Sequence, residues 1–517
     1  MRHRYLLVGS VLMIALASAG RGFAADTSVV HTSLGDASGA VSDGIRSFKG
    51  LPYAQPPVGD LRWKPPIAAT PWSGTRDATR FGADCVQKPR PDSRAPAMSE
   101  DCLTLNIWSP VSAQRLPVMV WVYGGGFVDG SASLPLYDGT NLAKHDVIVV
   151  SLNYRTGVFG FLSHRGLAAE SPQHSAGNYG LLDTIEALRW VKTNIAAFGG
   201  DPARVTVFGE SAGASMLDLL LVSPLAKGLI DQAILESPGA MRPLSTLDQA
   251  EAIADVVGPD IAALRAMPAD QVLALNDKIV PAVRKLTSPR ALGPIVDGWV
   301  VPRTDTDALA KGEIQSVPLI VGGNSDEGRL FTKGWPIRTA ADARAYAEQN
   351  FGPAAPTMLS LYGLETDATV PAGISYAFGD TQFNYGVRGL ARGMSAIQPK
   401  VWRYLFTRAP AGEQAAPTHS EEIDYVFGNL GAHRSVARGG MNADDQHLSE
   451  MMMRAWAQFA HTGDPNGEGL TSWPKFTRQA DEYLEFGDTI RTGQGYRTKY
   501  LDFVEGFLTG QSGRPRP

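Results

Sequence analysis

Val205-Thr-Val-Phe-Gly-Glu-Ser-Ala-Gly-Ala-Ser215 decides how the rest of this chain is read. Three β-type residues run into Gly-x-Ser-x-Gly, and a helix-compatible stretch, Ala214 to Leu221, follows at once. Glycines 209 and 213 let the chain reverse sharply from strand to helix, which leaves Ser211 standing above the end of a sheet. A helix that starts just behind it favours negative charge there, as acyl transfer requires. With 55 glycines among 517 residues the five-residue pattern proves little alone; its strand-before, helix-after setting carries the reading.

Outward from this turn the N-terminal half alternates strand-like and helix-like segments. Pro117 to Tyr123 and Asp146 to Asn153 are apolar runs of strand length, and Leu181 to Phe198 repeats its apolar residues at helical spacing. Leu229 to Leu235 and Val317 to Val321 continue the series. Strands without polar alternation, separated by helices, predict an α/β fold with a central, mostly parallel sheet covered by helices on both faces. The helical, acidic stretches Ser245 to Leu286 and Thr339 to Tyr362 read as insertions over that sheet rather than a further domain.

A hydrophobic content of 44% is ample for a large core, and the net charge of −5 without a basic tract excludes nucleic acid as the obvious partner. Met-Arg-His-Arg, the apolar run Tyr5 to Ala19 and the small residues before Asp26 read as a signal peptide, residues 1–24, cleaved near Ala24 or Ala25. The run is short for a membrane span, so no stable membrane anchor is expected. Residues 25–517 then form one domain, exported to the periplasm or the medium. Only two cysteines occur, Cys85 and Cys102; in an exported chain that pair is most simply a disulfide across a Pro-rich loop. No metal motif and no cofactor motif is found. The tail Gly510 to Pro517 reads as disordered.

A serine nucleophile needs a base, and the base needs an acid to fix its tautomer. In α/β-hydrolases these follow in the order Ser, Asp or Glu, His. Four histidines follow Ser211. His419 sits in a loop running into an apolar segment, which suits a base presented at a sheet edge. His433, His447 and His461 read as surface residues. Gly322-Gly-Asn-Ser-Asp-Glu-Gly328 follows a strand directly, and Asp326 and Glu327 both qualify as the acid by position. Tyr123-Gly-Gly-Gly-Phe127 follows another strand and offers unobstructed amides for an oxyanion hole. An ordinary imidazole base predicts activity that rises with pH around a midpoint of about 6 to 7.

These motifs together resemble the type-B carboxylesterases, the family that includes the cholinesterases. The likeness runs from Phe48-Lys-Gly-Leu-Pro-Tyr-Ala-Gln-Pro-Pro-Val-Gly59 through Glu100-Asp-Cys-Leu-Thr-Leu-Asn-Ile-Trp108 and Asn178-Tyr-Gly-Leu-Leu-Asp183 to Thr462-Gly-Asp-Pro-Asn466. It implies the α/β-hydrolase fold, a small-molecule ester as substrate and a triad of Ser211, Glu327 and His419. It implies oxyanion amides from Gly125, Gly126 and Ala212, and triad support from Glu210 and Ser237. The Cys85–Cys102 bridge and the ion pairs Arg62–Glu100 and Arg155–Asp183 match structural features of the family. Ser420 departs from the glycine usual after the base, which would alter the loop's path. Within the family the chain resembles the bacterial fumonisin-esterase-type carboxylesterases through Leu235-Glu-Ser-Pro-Gly239, Val321 to Arg329 and Phe378 to Asn384. That likeness implies tricarballylate esters, for which Arg242, Arg290 and Arg329 are conceivable partners without being assigned. The other readings are a non-catalytic adhesion member of the same fold and a lipase. Oligomeric state is not legible.

Overall fold

The computed structural model describes residues 27–281, 283, 285–409, 416–432 and 441–510. The segment read as a signal peptide, the tail beyond Gly510 and His433 lie outside these residues. Among the described residues thirteen strands form one sheet: β1 (Thr27–Thr32), β2 (Gly35–Ser42), β3 (Ile45–Pro52), β4 (Thr75–Asp77), β5 (Thr104–Pro110), β6 (Leu116–Val122), β7 (Ile148–Leu152), β8 (Gly200–Glu210), β9 (Gln232–Glu236), β10 (Leu319–Asn324), β11 (Val401–Phe406), β12 (Glu482–Phe486) and β13 (Ile490–Gln494). Their order is β1-β2-β3-β5-β7-β6-β8-β9-β10-β11-β12-β13, with β4 beside β2.

From β7 to β12 every neighbouring pair is parallel. Antiparallel strands flank this block on both sides. All residues of β5, β7, β9, β10 and β11 are buried, which requires cover on both faces. The helices Tyr179–Asn194 and Ala212–Val222 pack on β8, and Ala443–Thr462 packs on β6 and β8. This is the mostly parallel, helix-covered sheet that the apolar runs predicted, and it fits the α/β-hydrolase fold that the resemblance implied.

The antiparallel N-terminal strands escaped the sequence reading. β2 is built of small and polar residues and is only intermittently buried, so it carries no apolar run to notice. The insertions differ from each other. Leu264, Val272 and Leu275 join the main core, whereas Trp335, Tyr346, Phe351, Met358 and Phe378 form an apolar cluster of their own. Among the described residues no helix is long and apolar enough to cross a membrane.

Chain order reverses around β6, because β7 lies on one side of it and β8 on the other. In open α/β sheets the crevice beyond the strand ends at such a reversal is where ligands bind.

Candidate active site

Ser211 is the residue between the end of β8 and the helix Ala212–Val222, and its backbone holds φ 55° and ψ −119°. Such a conformation costs about 1–3 kcal/mol and persists only where its surroundings impose it. They do so here. The Ser211 N–H donates to the Glu236 carbonyl at the end of β9 (2.9 Å), and the Ser215 N–H donates back to the Ser211 carbonyl (2.9 Å). On the other side β6 approaches so closely that a Cβ at Gly213 would lie 2.0 Å from the Val122 carbonyl oxygen. No residue but glycine fits the turn.

The loop after β6 meets the same point. Gly125 has φ +110°, and a Cβ there would lie 2.1 Å from the Asp129 carbonyl oxygen. The N–H groups of Val128 and Asp129 donate to the Gly125 carbonyl, so the loop turns back on itself. No backbone carbonyl among the described residues takes the N–H of Gly125 or Gly126. The N–H of Ala212 sits in the first helical turn, whose amides have no intrahelical partner. Gly124, Gly125, Gly126, Ser211 and His419 line one cavity of about 370 Å³.

His419 is 2% exposed. Its Nδ1 lies 2.5 Å from Glu327 Oε2, just beyond the end of β10. Glu327 is held in turn: the Ser237 hydroxyl donates to its Oε1 at 2.6 Å, as does the Asn324 N–H at 2.6 Å. Asp326, equally placed in the sequence, faces away, accepting from Ser375 Oγ (2.9 Å) and pairing with Arg329 (3.2 Å). Its N–H donates to the Pro417 carbonyl, which ties the loop of Glu327 to that of His419. Phe383 and Phe331 pack against the imidazole with centroids 4.2 and 4.9 Å away.

His419 Nε2 lies 2.9 Å from Glu210 Oε1, an ion-pair contact within the buried site. Burial alone pulls the imidazole pKa down, but Glu210 and then Glu327 outweigh it and push it up to about 10. The cationic ring is therefore favoured more than an ordinary midpoint of 6 to 7 assumes. Glu422 lies behind the triad with Asn324 Nδ2 donating to it at 2.6 Å. Burial first, then Glu210 and Glu327, push its carboxyl up to about 8.

Of the residues that the resemblance singles out, Ser211, His419, Gly125, Gly126 and Glu210 line one cavity. Glu327 stands behind His419, Ser237 reaches the histidine only through Glu327, and Ala212 opens the helix after Ser211. Asn324 and Glu422 were missed, and Ser420 was noted only as a departure from glycine, not as a partner of Glu210. Ser420 keeps the left-handed backbone expected of a glycine (φ +75°) and spends its side chain on Glu210, donating to Oε1 at 2.6 Å. His447 is exposed, while His461 is half-buried with Nε2 3.4 Å from the His145 carbonyl oxygen.

The disulfide joins Cys85 to Cys102, and Arg90 and Asp92 of its loop stand on the cavity wall. Arg155–Asp183 (2.7 Å) is a buried pair, and Arg62–Glu100 (2.5 Å) joins a buried arginine to a partly exposed glutamate. Of the three arginines, Arg329 turns away, with Nη2 donating to the Ala416 carbonyl at 2.5 Å. Arg242 and Arg290 line a neighbouring cavity.

The profile of the carboxylesterase family matches residues 26–504. The chain is 47% identical over 476 residues to fumonisin B1 esterase of Sphingopyxis macrogoltabida, covering 90% of this chain and 88% of that one. It is 36% identical to para-nitrobenzyl esterase of Bacillus subtilis (strain 168), covering 88% and 94%. A solved PNB esterase superposes with a TM-score of 0.82 at 34% identity, over 92% of this chain and 99% of that one. The chain belongs to the carboxylesterase family.

Proposed function

We propose that this carboxylic ester hydrolase works by two-step acyl transfer through Ser211, Glu327 and His419, on polycarboxylate esters of the fumonisin type. The observation that carries the chemistry is the buried His419, bonded through Nδ1 to Glu327 and sharing one cavity with the Ser211 turn. Glu327 holds the proton on Nδ1, which leaves Nε2 to act as base. Nε2 takes the Ser211 proton as Oγ attacks the ester carbonyl carbon. The oxyanion is received by the N–H groups of Gly125, Gly126 and Ala212. Glu210, 2.9 Å from Nε2, stabilises the imidazolium formed at that moment. The imidazolium returns its proton to the departing alkoxide, and the alcohol leaves. Water then gives a proton to Nε2 and its oxygen to the acyl carbon, releasing the acid and restoring Ser211.

The 47% identity to a fumonisin B1 esterase supports the substrate class. The basic, apolar, small-residue leader and the disulfide support export to the periplasm or the medium. The test is tricarballylate release from a fumonisin-type diester, measured beside p-nitrophenyl butyrate hydrolysis, with Ser211→Ala as the blank. Ser211-dependent release of tricarballylate supports the whole reading. Turnover of the butyrate alone leaves a general carboxylesterase, and no Ser211-dependent turnover of either ester refutes the mechanism.

A further inference from the structure

A second chamber, of about 190 Å³, opens beside the catalytic one and shares Gly126 and Val128 with it. The two chambers therefore meet at the loop offered to the oxyanion. Arg242, Lys285 and Arg290 stand on the walls of the second chamber, and no Asp or Glu is among its described lining residues. Arg242 is 8% exposed. Arg290 is placed by Phe127, the residue after Gly126, with its guanidinium 5.2 Å from the ring centroid. The catalytic chamber has the opposite sign. Asp92, Asp129 and Glu210 line it, and its Arg90 is paired with both aspartates, at 3.7 and 3.2 Å.

An ester bound with its carbonyl oxygen toward Gly125 and Gly126 sends its acyl and alkoxy halves in different directions. His419, which has to protonate the leaving oxygen, lines the catalytic chamber and not the second one. The alcohol half consequently occupies the acidic chamber, and the acyl half points into the cationic one. Guanidinium groups on a largely apolar wall bind carboxylates through charge-assisted, bidentate hydrogen bonds that an uncharged acyl chain cannot make. Across the junction, Asp92, Asp129 and Glu210 repel a carboxylate on the alcohol half.

We propose that Arg242 and Arg290, with Lys285 at the exposed edge, form a carboxylate-binding acyl subsite. The preferred substrates are esters whose acid half keeps a free carboxylate and whose alcohol half is neutral, hydroxylated or cationic. This rests on the Ser211 reading above and adds to it the residues that select the acid.

Three esters test it: the mono-p-nitrophenyl ester of adipic acid, p-nitrophenyl hexanoate, and 4-carboxyphenyl hexanoate. The first carries a carboxylate on the acyl half, the second none, the third one on the leaving phenol. kcat/KM is measured for wild type, Arg242→Gln, Arg290→Gln and Lys285→Gln, with Ser211→Ala as the blank. The adipate-to-hexanoate ratio should fall about 10-fold or more in each arginine variant, mainly through KM, and by less in the lysine variant. The ratio of 4-carboxyphenyl hexanoate to hexanoate should not fall with it. Arg290→Lys should restore part of the lost ratio, which separates charge from folding damage. Ratios unchanged in all variants, or a fall for the carboxyphenyl ester instead, would overturn the subsite while leaving Ser211-dependent hexanoate turnover intact. Loss of Ser211 dependence on every ester refutes the parent reading instead.

Discussion

The two chambers that meet at Gly126 are built by opposite means. The catalytic one is assembled from the ends of neighbouring parallel strands: Gly124 to Gly126 follow β6, Ser211 follows β8, Ser237 follows β9 and Glu327 follows β10. Backbone hydrogen bonds on both sides fix those positions, and Ser211, Glu327 and His419 are 5%, 1% and 2% exposed. The cationic chamber takes its far wall from irregular chain between the helix Leu275–Ile279 and Leu292. On the proposed reading, chemistry is entrusted to the hydrogen-bonded strand ends and selection to the loop. Damage to the edge should silence all esters alike, and damage to the loop should redistribute activity among them.

The largest expected effect is that of Ser211→Ala, a loss on the order of 10⁴-fold or more in kcat for anionic and neutral esters equally. Appreciable turnover of one ester class in that variant would break the comparison. Glu327→Gln keeps shape but not charge, and should cost about 10³-fold or more in kcat, with a lower melting temperature below about pH 6.5 because one of the charges favouring the protonated His419 is gone. Steady-state kinetics on both ester classes checks each.

The pH responses come next. Because His419 is pushed up to about 10, kcat/KM should rise with pH around a midpoint above the ordinary 6.5 of histidine. Glu210→Gln removes the stronger of the two charges facing the ring and should bring the midpoint down. Folding follows the same groups. The raised histidine contributes stability that is complete below about 6.5 and lost as pH climbs through about 10. Glu422, raised to about 8, loses its contribution as pH climbs from about 4.5 through that value. The melting temperature should therefore fall between pH 5 and 10, and Glu422→Gln should flatten the lower part of that slope. Calorimetry across the interval is the check; a rising melting temperature contradicts the assignment.

The smallest effect is that of Ser420→Gly. It relieves a positive φ in a non-glycine residue but releases Glu210, so stability should change by about 1 kcal/mol or less while kcat/KM falls a few-fold. A fall greater than that of Glu210→Gln would place Ser420 against the substrate instead.

Why some of this was legible is physical. Ser211 and the glycines follow long apolar runs, so strand ends locate them. Asp326 and Glu327 differ only in which way successive side chains point, which position alone does not reveal; here Ser375 and Arg329 claim the first and His419 the second. Glu422 and Asn324 are single polar residues without a surrounding motif, and their meaning lies in contacts from β10 to a loop 98 residues later. Lys285 falls inside the stretch Ser245 to Leu286 that reads as helical, but the last helix there ends at Ile279 and Lys285 sits in irregular chain, whereas Arg329 looked suitable and turned away. The second insertion was visible as helix, but its separate apolar cluster was not.

The Cys85–Cys102 bridge ties down the loop that brings Arg90 and Asp92 to the leaving-group side. Ser211 and Glu327 take their hydrogen bonds from the ends of β9 and β10, outside that loop, whereas Gln87 and Arg90 tie the loop to Gly130 and Asp129 beside the Gly125 turn. Heterologous production in a reducing cytosol should therefore yield material whose serines titrate fully with an organophosphate yet discriminate poorly among alcohols. A preparation of this enzyme is better judged by its selectivity ratio than by its active-site count.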